Sequence, residues 1–352
     1  MKLSTNNLKS MLGRVASCKA TNLLEITNYY ELRFDSTSFK LSGTDGTNFI
    51  TVEDKDGASD EEVAIIVKAD QFTKLINKTT KDEVDLILTE NCLEVRGNGI
   101  YKVEIVEGEQ YPKFDLSVDS TYKVNLDSLK DGINRGKYAK SNVPNDGVLF
   151  SFLIRDEQII TADAIKVYNK VISGEIEGLT ALLSPALANM ILALDSKEVQ
   201  INVDETDNKI QFIGENVVVS GAIVEGADDY PDLSEMIQMS LPYTVELDTK
   251  LVLQAIDRLN LFITAYDKNI VDIVFTGNAL TISTTSKSYE TIPYMTTLPD
   301  EVEFIATVNC KYLQDIFNSA DEPSLKVEFG ADDILKFDTI DSTMLLAVAD
   351  EE

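Results

Sequence analysis

One pattern is written three times along this chain of 352 residues, and that repetition limits the fold more than any other feature. Val106-Glu107-Gly108 followed by Tyr111-Pro112 returns as Val224-Glu225-Gly226 followed by Tyr230-Pro231. Shortly after each, an alternating stretch begins, at Tyr122 and at Tyr243, and the chain itself opens in a similar way with Met1-Lys2-Leu3-Ser4. Each of the three starts runs into a helix bearing an apolar-x-Arg triplet: Leu12-Gly13-Arg14, Ile133-Asn134-Arg135 and Ile256-Asp257-Arg258. Self-similarity at a fixed period is the mark of one supersecondary unit used repeatedly. A third of the chain is also close to ordinary domain size.

A second helix is expected in the middle of each repeat, where apolar residues recur four apart: Phe72 and Ile76, Leu187 and Ile191, Tyr312 and Ile316. That spacing stacks them on one helical face. Ser184 and Asn309 suit the N-cap, and Pro185 suits the first turn. Between the helices lie short alternating stretches, among them Ser38–Ser42, Glu157–Thr161, Ala279–Ser283, Val84–Leu88, Val199–Val203 and Leu325–Phe329. Period-two alternation marks strands with one buried face, and Asn98-Gly99 and Gly277-Asn278 mark hairpin turns. The expected class is α+β: three units of two helices against sheets, with boundaries giving 1–120, 121–241 and 242–352.

Hydrophobic residues at 44% and charged residues at 26% make a globular composition. No apolar run approaches the roughly 20 residues of a membrane span, and the first residues turn polar at once, unlike a signal peptide. Three scattered cysteines, Cys18, Cys92 and Cys310, suggest reduced thiols in a cytoplasm. The absence of histidine removes Ser-His and Cys-His nucleophilic systems. No phosphate-binding glycine loop occurs, and Asp54–Glu62 lacks ligand positions that a calcium loop needs. Acidic pairs such as Asp332-Asp333 are expected by chance among 60 acids, so no catalytic site and no cofactor is indicated.

The net charge of −29 argues, as a total, against nucleic acid, because DNA binding exchanges counterions for Lys and Arg. The distribution argues otherwise. Residues 1–22 hold Lys2, Lys9, Arg14 and Lys19 with no acid, residues 71–81 hold Lys74, Lys78 and Lys81, and residues 132–142 hold Arg135, Lys137 and Lys140. These acid-free stretches fall on expected helices. The third repeat is more balanced, with Lys250, Arg258 and Lys268 against Asp248, Asp257 and Asp267.

The chain resembles the bacterial DNA polymerase III β sliding clamps, in a divergent form, host- or phage-encoded. The resemblance rests on Leu41–Asp45, the turn Gln110–Asp115, Thr161-Ala162-Asp163, the turn Asp229–Asp232 and Asn309–Ile316, which occur in the family's order across nearly the whole chain. It implies three DNA-clamp domains per chain, and two chains joined head to tail into a six-domain ring. Helices then face duplex DNA without reading its sequence, and the ring tethers DNA polymerase and clamp-loader partners. Such a protein is a processivity factor and not an enzyme. The DNA-facing residues expected by position are Lys9, Arg14, Lys19, Lys74, Lys78, Arg135, Lys137, Lys140, Lys250 and Arg258.

Closure of the ring is expected, from the resemblance, to use Tyr101, Val103 and Ile105 of one chain against Leu261 and Phe262 of the other. A pocket for partner peptides maps to Ala162, Ala164, Ile165, Lys166, Val167, Pro231, Glu235, Met236, Ile334, Leu345, Ala347 and Val348. Two departures stand out there: Ala164-Ile165-Lys166 replaces the family's Gly-His-Arg, and Ala347-Val348 replaces Met-Pro. Two rival readings remain open: a clamp-like ring that captures protein partners without loading on DNA, and a carboxylate-dependent hydrolase on a repeated β scaffold.

Overall fold

The computed structural model describes the chain apart from residues 19–23, 58–61, 108–110, 264–268, 331–332 and 349–352. It divides into two compact units. One comprises Met1–Lys130, Ser173–Ile176 and Leu183–Glu225; the other comprises Asp131–Ile172, Glu177–Leu182 and Gly226–Glu352.

The order of elements repeats along the chain. The first round is β1 (Lys2–Ser4), α1 (Thr5–Val15), β2 (Tyr29–Phe34), β3 (Phe39–Thr44), β4 (Phe49–Asp54), β5 (Val63–Lys68), α2 (Ala69–Lys78), β6 (Glu83–Leu88), β7 (Cys92–Arg96) and β8 (Ile100–Glu107). The second is β9 (Ser120–Asn125), α3 (Leu126–Gly136), β10 (Phe152–Arg155), β11 (Gln158–Ala162), β12 (Lys166–Val171), β13 (Gly174–Glu175), β14 (Ala181–Leu183), α4 (Pro185–Ile191), β15 (Glu198–Asp204), β16 (Lys209–Ile213) and β17 (Val217–Ala222). A short helix, α5 (Ser234–Gln238), precedes the third round. That round is β18 (Tyr243–Asp248), α6 (Thr249–Leu259), β19 (Ile270–Phe275), β20 (Ala279–Thr284), β21 (Tyr289–Pro293), β22 (Phe304–Asn309), α7 (Cys310–Ser319), β23 (Ser324–Phe329), β24 (Ile334–Asp338) and β25 (Ser342–Ala347).

The strand-to-helix switch that opens each round has a local cause. Ser4, Asn125 and Asp248 end the first strands, and their side-chain oxygens accept hydrogen bonds from the amides of Asn7 (3.4 Å), Ser128 (2.9 Å) and Leu251 (2.8 Å). Each satisfies an otherwise orphaned N–H of the first turn, which is worth about 1 kcal/mol at such a site. The same three residues pair across their sheets with Glu83, Glu198 and Ser324, the first residues of β6, β15 and β23. The three rounds are therefore in register residue by residue. The expected caps Ser184 and Asn309 are also present, accepting from the amide of Leu187 and from those of Lys311 and Tyr312.

Among the described residues, the first unit holds one sheet in the order β1-β6-β7-β8-β5-β2-β3-β4-β17-β16-β15-β9-β13. The second unit holds β14-β10-β11-β12-β25-β24-β23-β18 and, separately, β21-β20-β19-β22. Two antiparallel joins tie one round to the next. β4 pairs with β17 from Val52↔Val217 to Phe49↔Ser220, and β12 pairs with β25 from Lys166↔Leu346 to Lys170↔Ser342. In both, the third strand after a round's first helix takes the closing strand of the following round.

The β12–β25 join carries buried cations. The Lys170 side chain is 3% exposed and its ammonium pairs with Asp131 at 3.0 Å and with Asp341. Asp131 also accepts from Arg135 at 2.6 Å, so one carboxylate serves two cations. A desolvated ammonium is tolerable only with such partners, and removing a carboxylate leaves it buried with less compensation. Replacing Asp131 with Asn, which keeps the shape but leaves Lys170 less compensated, is expected to destabilise the second unit by about 3 kcal/mol. Urea unfolding monitored in that unit checks this, and an unchanged midpoint contradicts it.

Candidate nucleic-acid interface and partner surfaces

The two helices of each round, α1 to α4 with α6 and α7, carry nine basic and five acidic residues, a net of +4 in a chain of −29. The acids are thus concentrated outside these helices. In α1 the apolar side, Leu8, Met11, Leu12 and Val15, is buried, and Asn6, Asn7, Ser10 and Gly13 are exposed with no acid among them. On α2, Phe72 and Ile76 are buried while Gln71, Lys74, Asn77 and Lys78 face solvent. Both helices are amphipathic, and their outward sides are neutral to basic.

The individual cations differ in how freely they could meet a phosphate. Among the described residues, Lys78 and Lys250 are exposed and have no carboxylate or carbonyl partner. Lys74 is exposed and bonds Asp70 one turn away at 2.7 Å. Lys137, also exposed, donates to the Asn134 side chain at 2.9 Å. Lys9 is half-buried and donates to the Thr79 carbonyl at 2.8 Å, where it meets the negative end of the α2 dipole. The three register arginines are all held by carboxylates: Arg14 by Asp195 at 2.7 Å, Arg135 by Asp131 at 2.6 Å and Asp321 at 3.5 Å, and Arg258 by both oxygens of Glu290 at 2.6 Å.

Lys140 departs from the expectation of a surface contact. It is buried, donates to the Ser141 carbonyl at 3.0 Å and lies 4.7 Å from the centre of the Phe150 ring. Burial, and secondarily Lys166, pushes its pKa down. Its place in an acid-free stretch gave no sign that the chain turns inward there. Lys19 lies outside the described residues. Two helical cations that the sequence reading did not single out are Lys130, which donates to the Leu194 carbonyl at 2.6 Å, and Lys311 on α7.

The residues mapped to a peptide pocket come together around the ends of the adjacent strands β12, β25 and β24 and the short helix α5. The Ala347 amide donates to the Ile165 carbonyl at 2.8 Å, Ile334 pairs with Ala347, and the Val348 amide donates to Asp333 at 2.8 Å. Ala164, Ile165, Pro231 and Glu235 are exposed, and Met236, Ile334, Ala347 and Val348 are half-buried. Four of the twelve do not line that surface: Ala162, Lys166, Val167 and Leu345 are buried. Lys166, the last residue of the Ala164-Ile165-Lys166 triplet, is tied inward. Its ammonium sits 4.1 Å from the centre of the Tyr312 ring and binds Asp163 at 3.1 Å and the Tyr138 carbonyl at 2.8 Å.

Of the residues expected to close a ring, Leu261 and Phe262 are 81% and 53% exposed in the short 3-10 turn after α6, and Tyr101 is 42% exposed. Ile105 is half-buried. Val103 is only 1% exposed and belongs to the core, because it lies further along the face of β8 that the sheet's interior covers. The backbone adds what the sequence did not reveal. Among the described residues, β8 pairs with β7 over Ile100–Glu104 but with β5 only from Ile105 onward, leaving its first half with an open edge. β21 ends its four-stranded sheet, with Tyr289 on it 69% exposed. Among the described residues no cluster of His, Cys, Asp or Glu could hold a metal ion, and the three cysteines are free. The run from Asp54 to Glu62 lies partly outside the described residues. No described helix is long and apolar enough to cross a membrane.

No family model matches the chain. Curated proteins do. The beta sliding clamp of Staphylococcus aureus is 22% identical over 298 residues, covering 79% of this chain and 77% of that protein. The beta sliding clamp of Staphylococcus epidermidis is 23% identical over 280 residues, covering 76% and 73%. Among solved structures, the beta subunit from DNA polymerase of Streptococcus pyogenes superposes with a TM-score of 0.89 at 16% identity, covering 99% of both chains. The DNA polymerase sliding clamp from Bacillus subtilis gives 0.87 at 16%, covering 100% of this chain and 99% of that one. The Helicobacter pylori beta clamp bound to a DNA ligase peptide gives 0.87 at 13%, covering 99% of both. The chain has the sliding-clamp fold and is remotely similar in sequence to these proteins.

The bidentate contact with Arg258 holds the Glu290 carboxyl below its ordinary value of 4.5, and raises the guanidinium in turn. A depressed acid contributes stability above its unfolded pKa and loses it as pH falls through the folded one. The pair should therefore persist through neutral pH and release only below the usual glutamate range. Carboxyl titration by NMR is expected to find Glu290 below 4.5 in the native chain and near 4.5 in Arg258→Gln.

Proposed function

We propose that the protein is a DNA sliding clamp: two chains close head to tail into a ring around duplex DNA and hold replication proteins on it. The observation that carries this reading is the repeated strand join with its two loose ends. β4 takes β17 and β12 takes β25, each in the same antiparallel sense. Among the described residues, the corresponding strands still without such a partner are β21, in the third repeat, and β8, in the first. A second copy, turned head to tail, supplies to each the strand it lacks, and two such joints close the assembly. Leu261, Phe262, Tyr289 and Tyr101 give that joint exposed apolar area.

The units of the ring are the three domains 1–120, 121–241 and 242–352, six per ring. Their helices line the hole, and their net positive charge inside an acidic protein concentrates attraction for phosphate there. Sliding needs phosphate contacts without base readout, and exposed lysines on solvated helix faces make such contacts. Lys74, Lys78, Lys137 and Lys250 are the strongest candidates among those nominated; Lys140 drops out as buried. The surface around Ile165, Ile334 and Val348 takes apolar peptide segments of a polymerase or loader, as the peptide-bound Helicobacter pylori relative suggests. The protein itself does no covalent chemistry and works in the cytoplasm. The ion-paired state of Arg14, Arg135 and Arg258 favours, as the second reading, a ring that gathers protein partners without DNA.

Topology separates the two readings. Protein loaded on nicked circular DNA should stay on the circle through a salt wash and slide off after linearisation. Equal loss from circle and line contradicts the clamp. Charge reversal of Lys74, Lys78 and Lys250 to Glu should lower retention at least tenfold and flatten its dependence on salt, since each lost phosphate contact removes close to one unit of slope. Lys140→Gln is expected to leave that slope unchanged while lowering the melting temperature.

A further inference from the structure

The three register arginines occupy one position in the repeat, ten residues after the N-caps Ser4, Asn125 and Asp248. Two of them make the same contact. Arg14 reaches forward to Asp195 in the next repeat at 2.7 Å, and Arg135 reaches forward to Asp321 at 3.5 Å. Asp195 and Asp321 are equivalent in turn, each three residues before the strand that pairs with an N-cap, β15 and β23. Each strand join within the chain is thus accompanied by an arginine–aspartate clasp from the first helix of one repeat to the end of the second helix of the next.

The third arginine has no such aspartate ahead of it. The equivalent position in the first repeat, three residues before β6, is Thr80, and Lys81 follows. Thr80 is exposed and is engaged by Asn98, which accepts from its amide at 2.8 Å and donates to its hydroxyl at 2.7 Å. Arg258 meanwhile is gripped by Glu290 of its own chain, and Glu290 sits on β21, the strand left open at the joint. We propose that the head-to-tail joint is the one built without its clasp: Arg258 is held back by Glu290, and Thr80, where the receiving aspartate would stand, offers it no carboxylate.

The proposal rests on the head-to-tail reading above and specifies the weak point of that interface. It is tested by writing the missing aspartate. Thr80→Asp should lower the dissociation constant of the full-length dimer about tenfold, because exposed ion pairs contribute a few-fold each and the ring has two joints. Adding Glu290→Gln, which frees Arg258, should tighten it further. The gain should vanish when Arg258→Gln is combined with Thr80→Asp, and Thr80→Asn, matched in shape but uncharged, should give none. A dimer indifferent to Thr80→Asp, or a gain that survives Arg258→Gln, overturns the clasp and leaves the ring reading standing. A chain that is monomeric at every concentration overturns both.

Discussion

The rest of the structure depends on the pairing of sheet edges between repeats. A strand with unpaired amides and carbonyls invites another strand, and proteins must cover, blunt or satisfy it. This chain satisfies two such edges internally, β4 with β17 and β12 with β25. Because each join uses the same two strand positions, a finite chain necessarily keeps one position of each kind unmatched. A linear repeat is usually capped at its ends. Here β21 and the first half of β8 are not covered by any described segment, and closed symmetry offers an alternative to capping.

Charge is arranged around the same joins. Lys170 with Asp131 and Asp341, and Arg14 with Asp195, place cations against acids where one repeat meets the next. What is left for an outside anion is the set of lysines on solvated helix faces. An acidic exterior with a mildly basic set of helices needs no strong site for DNA. A ring holds its cargo by topology, so weak and sequence-blind contacts are an advantage to something that must move along the duplex.

Much of this was legible in the sequence. The threefold repeat, the six helices and the strand stretches around Leu41, Ile159 and Ile282 follow from period and turn chemistry, which are local. The caps Ser4, Asn125 and Asp248 were missed because a polar residue ending an alternating strand looks like one more outward position. Lys140 and Val103 were misjudged for a related reason: burial depends on what the chain packs against, and neither charge spacing nor alternation encodes that. The arginine register is visible in the sequence but suggests phosphate contacts, since the aspartates that Arg14 and Arg135 meet in the following repeat lie 181 and 186 residues further on; only Asp131, one turn before Arg135, is local. Likewise, nothing local announces that β4 meets β17. Strand order between repeats is a long-range property, and only the assembled sheet displays it.

The central claim is that β8 and β21 find each other on two chains. Sedimentation equilibrium of the untagged protein across the micromolar range addresses it most directly. The account predicts a single closed species at twice the 39.0 kDa of one chain, with no higher polymer, because two head-to-tail joints leave no edge open. A mass that stays at 39.0 kDa, or one that grows without limit as concentration rises, would contradict it.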